Sequence, residues 1–360
     1  MMLSYVAIAV ALFFAMNIGA SGTAASMGAA YGAGAIHKKR AAMLIVAIAA
    51  LLGAVLGGGE VVKTIGNGII PSSVLNVETV IVILFSATFT LFLANLMGIP
   101  LSTSEVTVGA IVGVGLAYKS LFANKLMVIL SFWIIVPLVS FGVAYALGLV
   151  IKRAEKKWVF LTGDGKWRRW LGLLLVAGGT FEAFSAGMNN VANAVGPLVG
   201  AGIMSASSGV WIGGTFVALG AVFLGGKVLE TNGKKITRLS LLQGSAVSFT
   251  GGTLVVIASL LGIPVPLVQA TTCAIVGVGT AETGFRLWQK GVIRQIAQVW
   301  IVSPVSSLVV AYAVMNFWLM PNPYVLIVIL SVFVATVGSI SLSRTIRKEK
   351  STIHDQGGGI

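Results

Sequence analysis

The sequence predicts an all-α polytopic membrane protein built from two inverted-topology repeats. Three observations predict it: long apolar runs from end to end, an internal duplication, and loops whose charge reverses between the two copies. Of 360 residues, 57% are hydrophobic and 9% charged, with mean hydropathy +0.99. A soluble domain carries about 25% charged residues, so most of this surface does not face water. Runs of the length needed to cross about 30 Å of hydrocarbon recur at Ala41–Gly57, Val77–Leu96, Leu126–Ile151, Leu241–Gly262 and Tyr324–Leu342. A transmembrane β-barrel needs short alternating strands, and no segment alternates. The first 20 residues are apolar, lack a basic leader and run on into a patterned segment. They read as the first helix and not as a removed signal peptide.

The duplication shows in three stretches. GASGTAASMGAAYGAG at Gly19–Gly34 aligns without gaps on GMNNVANAVGPLVGAG at Gly187–Gly202. GGEVVKTIG at Gly58–Gly66 matches GGKVLETNG at Gly225–Gly233, and GIPLSTSEVTVGAIVGVG at Gly98–Gly115 matches GIPVPLVQATTCAIVGVG at Gly262–Gly279. The three offsets are 168, 167 and 164 residues, in the same order.

Loop charge then sets orientation. The loop after the first motif is basic in the first copy (His37, Lys38, Lys39, Arg40) and uncharged in the second (Ser205–Ser208). The next loop reverses: Gly66–Val77 has no basic residue and Lys227–Arg238 has four. Lys152–Arg169 carries seven basic residues, and its counterpart Asn316–Pro323 none. Equivalent helices therefore run in opposite directions, which requires an odd number of crossings per half. Five per half and one extra helix give about eleven transmembrane helices, with the N-terminus outside and the C-terminus inside. The Gly-rich first motif and the Pro-containing third motif are candidates for broken or re-entrant segments. The expected division is residues 1–151 for the first repeat, 152–170 for a basic cytoplasmic linker and 171–323 for the second repeat. An extra helix at 324–343 and a cytoplasmic tail at 344–360 complete it.

The +14 formal charge lies in short runs between apolar segments, as topology signals do. A basic stripe with interleaved aromatics, the footprint of nucleic-acid binding, is absent. Cys273 is the single cysteine, and the histidines His37 and His354 both lie in polar segments, so neither a disulfide framework, a metal site nor a Ser–His triad is expected. No cofactor is expected either.

The residues able to carry chemistry sit in the repeated motifs. Ser21, Thr23, Asn189, Asn190 and Asn193 cluster in apolar surroundings, where polar groups are costly; they read as substrate contacts or as interhelical hydrogen bonds. In the third motif, Pro100 is followed by Ser102, Thr103 and Ser104. Proline suits the first turn of a helix, and hydroxyls with free N–H groups at such a terminus make an anion site. Back-bonding to their own helix is the alternative. The second copy has Pro266, Leu267 and Val268 there, with Thr271 and Thr272 a turn later as substitutes. Glu60, Glu105, Glu182 and Glu230 lie within or beside apolar segments. A carboxyl group enclosed in apolar surroundings favours its neutral form and can carry a proton. Glu60 with Lys63 and Lys227 with Glu230 also read as local ion pairs.

In these residues the chain resembles the inorganic phosphate transporter (PiT) family, most closely its bacterial sulfate permease branch. GMNNVANA at Gly187–Ala194 is close to the family's GANDVANA-like motif, and GASGTAAS at Gly19–Ser26 is a degenerate copy. PLSTSE at Pro100–Glu105 resembles its P-[IV]-S-T-T-H-like motif, with Glu105 in the histidine position; PVPLVQ at Pro264–Gln269 is eroded. The resemblance implies an ion-coupled inverted-repeat symporter for a tetrahedral oxyanion. It also implies that Ser102, Thr103 and Ser104 contact the anion, with Asn189 and Asn193 close by. Where the family has sodium-holding aspartates this chain has Gly22 and Asn190. A donor-rich site without aspartate suits sulfate, which offers no proton, over phosphate, which retains one. The expectation is a proton-coupled sulfate permease of the cytoplasmic membrane. Its partners would be a tetrahedral oxyanion, protons and the bilayer; a homodimer is compatible with it. A phosphate symporter of the same fold and a passive anion channel are the alternatives, and an enzyme is not expected.

Overall fold

The structure, a computed structural model, describes residues 1–96, 101–163, 165–230, 239–284 and 292–331, with backbone alone for 292–299. These residues are helical and loop, with no strand among them. The first half comprises α1 (Met2–Ile18), a π-helical turn (Gly19–Thr23), α2 (Gly28–Gly32), α3 (Lys39–Gly57), α4 (Gly59–Asn67), α5 (Val77–Leu96), α6 (Thr103–Ala117) and α7 (Ala123–Lys157). The second comprises α8 (Arg168–Gly200), α9 (Ala206–Leu224), α10 (Leu241–Leu260), α11 (Leu267–Thr283) and α12 (Val292–Val314), extended by a π turn at Met315–Leu319. Among the described residues, 8 helices are long and apolar enough to cross a membrane. The chain is thus a multi-pass helical membrane protein. The expected extra helix is described only as far as residue 331, and the tail 344–360 lies outside the described residues.

Packing follows the rule for helices in lipid, where small residues meet inside and large apolar ones face out. On α3, Ala42, Val46, Ala50 and Ala54 are buried, while Leu44, Ile48, Leu52 and Leu56 stand exposed four residues apart. In water that stripe would be an aggregation surface; in a bilayer it is the solvated face. The buried crossings depend on glycine. A Cβ on Gly19 would lie 1.9 Å from the Val217 carbonyl oxygen of α9, and one on Gly220 would lie 2.1 Å from that of Met16. At the α3–α8 crossing, a Cβ on Gly53 would lie 1.9 Å from the Phe184 oxygen, and one on Gly187 would lie 1.9 Å from that of Ala50. The sequence repeat aligns Gly19 with Gly187 and Gly53 with Gly220, so α1 on α9 and α8 on α3 are the same contact made twice. Likewise α6 packs on α12 through Gly113 beside Leu308, and α11 packs on α7 through Gly277 beside Phe141. Each half closes on the other.

The expected breaks differ between the copies. The third motif interrupts the chain in the second half. There α10 ends at Leu260, Gly262 takes a left-handed φ of +71°, and α11 begins only at Leu267. Its first-half counterpart, Gly98-Ile99-Pro100, lies outside the described residues, but Leu101 and Ser102 are non-helical before α6 starts. α6 has 15 residues and α11 has 17. At about 1.5 Å per residue both are shorter than about 30 Å of hydrocarbon. The first motif breaks only in the first half, where the π turn gives way to a turn at Ser26–Met27. In the second half α8 runs unbroken through it for 33 residues, which corrects the expectation of a paired discontinuity. Gly22 in the first copy disfavours helix and holds nothing, whereas the asparagine at the matching place in α8 is cross-linked to its neighbours. The basic segment between the halves is largely helical too: Lys152–Lys157 is the end of α7, and Arg168 begins α8.

Candidate functional site

The first turn of α6 meets the C-terminal half of α8 in a buried polar cluster. Ser102 caps α6, its hydroxyl accepting from the Glu105 N–H at 3.5 Å. This leaves the Thr103 and Ser104 amides without intrahelical acceptors, as in any first helical turn. Opposite them, Asn189, Asn190 and Asn193 are buried on α8. The Thr103 hydroxyl donates to Asn190 Oδ1 at 3.0 Å and accepts from Asn193 Nδ2 at 3.3 Å. Asn193 Nδ2 also reaches Ser104 Oγ at 3.2 Å. Asn193 Oδ1 is buried and has no partner. Hydroxyls of the first half and amides of the second thus form one network.

Asn189 does something else. Its Nδ2 donates to Ser259 Oγ at 2.9 Å and to the Ile263 carbonyl at 3.1 Å, and its Oδ1 accepts from the Val265 N–H at 3.2 Å. The Ser104 hydroxyl lies 3.3 Å from the same Oδ1 and 3.2 Å from the Val265 carbonyl. From α7, Trp133 Nε1 donates to the Pro264 carbonyl at 2.9 Å. Unwound backbone in hydrocarbon must be satisfied by protein, and Asn189 does this for the stretch between α10 and α11. Its amide is fully committed there.

Two carboxyl groups are enclosed near this network. Glu105, the third residue of α6, is 1% exposed and accepts from Gln269 Nε2 of α11. Glu182 is 4% exposed and accepts from Thr271 Oγ1 at 2.7 Å. It precedes Asn189 by seven residues and Asn193 by eleven, so all three share one face of α8. No lysine or arginine is buried among the described residues, so neither carboxylate has a cation beside it in the core.

Several candidates lie elsewhere. Glu60 is on the surface, paired with Lys63 at 2.6 Å with its side chain 56% exposed. Glu230 pairs with Lys39 of α3 at 2.7 Å and is half exposed. Both are edge residues of their apolar segments, and neither is enclosed. Ser21 bonds back to the Ile18 carbonyl at 3.2 Å. Thr23 is buried with an unpartnered hydroxyl, but no hydrogen bond links it to the asparagines. Thr272 bonds back to Val268. Thr271 serves Glu182, so the two threonines do not replace the hydroxyls missing from the first turn of α11. Gln269 and Ser259 were not singled out from the sequence. Gln269 was findable, because it occupies the repeat position of Glu105.

No group of three histidine, cysteine, aspartate or glutamate residues able to hold a metal occurs among the described residues. Cavities of about 560 and 590 Å³ lie away from the network, along 33–37 with 165–173 and along 39–43 with 222–227. The network itself is closed, with Ser102, Thr103, Ser104 and the three asparagines all under 7% exposed.

Known proteins share this architecture. The chain is 52% identical to the sulfate permease CysP of Bacillus subtilis, over 98% of this chain and 99% of that protein. A solved structure described as the sodium-dependent phosphate transporter superposes with a TM-score of 0.76 at 25% identity, covering 89% of this chain and 100% of its own. The phosphate transporter family matches residues 18–311, which takes in the α8 asparagines, the α6 hydroxyls and both enclosed glutamates. The chain belongs to the phosphate transporter family.

Proposed function

We propose that the protein imports sulfate across the cytoplasmic membrane by proton symport, with alternating access between two inverted repeats. The observation that carries the reading is the hydroxyl–amide network at the α6 N-terminus, which is shared by both halves and holds no carboxylate at the asparagine positions. Sulfate has acceptors only, so it gains from hydroxyls, amides and first-turn N–H groups. A dianion forms charge-assisted bonds about twice as strong as the neutral ones now tying these groups together. It can therefore displace them on entry. The 52% identity to a sulfate permease supports the same substrate.

Charge balance supports the coupling. Burying an uncompensated dianion is prohibitive, and no lysine or arginine among the described residues is buried to receive it. Two protons, one on Glu105 and one on Glu182, entering with the dianion leave the net charge of the site the same loaded as it is empty with both carboxylates ionised. The twice-made glycine crossings support the duplication, and the loop charges support N-terminus outside and C-terminus inside. About eleven spans fit when the short α6 and α11 and the extra helix are counted with the longer ones. The phosphate reading has the solved sodium-dependent transporter in its favour. Uptake of labelled sulfate into proteoliposomes, without sodium and at several imposed pH gradients, separates them. Accumulation that rises with the inward proton gradient and resists excess phosphate fits the proposal. Sodium-dependent phosphate uptake without sulfate uptake refutes it.

A further inference from the structure

Glu105 and Gln269 occupy the same position of the duplicated third motif, one in each half, and they touch. Gln269 Nε2 donates to Glu105 Oε1 where α6 and α11 meet. Both side chains are buried, at 1% and 3% exposure. The remaining acceptors of the two head groups, Glu105 Oε2 and Gln269 Oε1, are both buried and without a partner. An ionised carboxylate only accepts, and an amide oxygen only accepts. With Glu105 ionised, nothing in the pair can satisfy either atom. Ser303 of α12 lies within hydrogen-bonding reach of the carboxyl group. Its single O–H could serve one oxygen and never both. No charged side chain among the described residues bears on the pair.

We propose that Glu105 and Gln269 form a head-to-head acid–amide pair across the two halves, closed by a single proton on Glu105 Oε2 that is donated to Gln269 Oε1. A planar carboxylic acid and a primary amide complement one another, N–H to carbonyl on one side and O–H to carbonyl on the other. The proton satisfies both orphaned oxygens at once. Transfer of that proton to water breaks the O–H···O bond and leaves a carboxylate facing an amide oxygen, two acceptors that repel. The pair thereby becomes a latch between the halves, shut when protonated and open when ionised. This deepens the proton-coupling reading above and rests on it, and it makes Gln269 a positioning residue.

Two measurements test it. Infrared difference spectroscopy of the purified protein at neutral pH is expected to show a protonated carboxylic acid band that Glu105→Gln abolishes and Gln269→Leu shifts. Absence of a band lost in Glu105→Gln overturns the pair. In proteoliposomes, a gradient of one pH unit supports about a tenfold accumulation per proton carried. Glu105→Gln is therefore expected to lower sulfate accumulation about tenfold. The exchange of Glu105→Gln with Gln269→Glu, which rebuilds the pair with its partners reversed, is expected to restore it. An exchanged protein as uncoupled as the single variant also overturns the proposal. Failure of the wild-type protein to accumulate sulfate refutes the transport reading instead, and the infrared band still decides the pair.

Discussion

Asn190→Asp tests the logic of the anion site most sharply, because it changes one atom and adds one charge. Asn190 Oδ1 lies 3.0 Å from the Thr103 hydroxyl. A sulfate oxygen accepting from that hydroxyl would lie about 2.7 Å beyond it, placing the introduced carboxylate within about 6 Å of the anion. At an effective dielectric constant of about 20, like unit charges at that distance repel by about 3 kcal/mol, and a dianion by about 5 to 6 kcal/mol. Half of that is already about a hundredfold in affinity. Competition binding and initial-rate uptake with labelled sulfate should both show it. Protonation removes the added charge, so the deficit should shrink as external pH falls. Sulfate uptake in this variant within a factor of about two of wild type at every pH would refute the placement of the anion beside Thr103.

Four other outcomes follow from the same geometry. Thr103→Val combined with Ser104→Ala removes two hydroxyl donors, each worth about 1.5–3 kcal/mol to a charged acceptor; sulfate binding should weaken at least about a hundredfold, measured by equilibrium binding in detergent. Glu182→Gln removes the other enclosed carboxyl group and should cut accumulation under a one-unit pH gradient about tenfold. Glu60→Gln breaks an exposed ion pair worth about 0–1 kcal/mol, so both Tm and pH-driven accumulation should stay at wild-type levels. Gly53→Val forces a side chain into the Phe184 carbonyl of α8, where a Cβ alone would lie at 1.9 Å; overpacking of about 1–3 kcal/mol or more should appear as a lower Tm in thermal-shift measurements.

Much of the architecture was legible in the residues. Apolar runs over Val77–Leu96 and Leu241–Gly262 correspond to α5 and α10 within two residues, because hydrocarbon thickness sets helix length. The Gly-Ile-Pro openings marked the break before α11, since glycine permits the left-handed turn that proline then follows. The first motif misled: both copies share glycines every fourth residue, but in the second copy Gly196 and Gly200 pack on Ile65 and Gly66 of α4 while α8 runs on unbroken. What distinguishes the copies is the side chain at the matching place, Gly22 or Asn190. The site was legible as residue types. Ser102–Ser104 and the three asparagines were recognisable as costly polar groups in an apolar setting, and the structure brings them together.

Partner choice was not legible. Sequence placed Glu60, Glu105, Glu182 and Glu230 alike beside apolar segments. Enclosure separates Glu105 and Glu182 from the two surface pairs, and enclosure depends on which helices cross above each residue. Asn189 looked equivalent to Asn193 until the unwound stretch at 263–265 took up both ends of its amide. The sequence by itself determined the helical membrane class and the polar inventory, because bilayer thickness and the cost of polar groups in lipid act on local composition. Only the tertiary structure decided that Gln269 meets Glu105, that Thr271 serves Glu182 and that the hydroxyls of one half face the amides of the other. Those contacts join residues about 85 to 165 positions apart, and helix crossings at glycine set their distances.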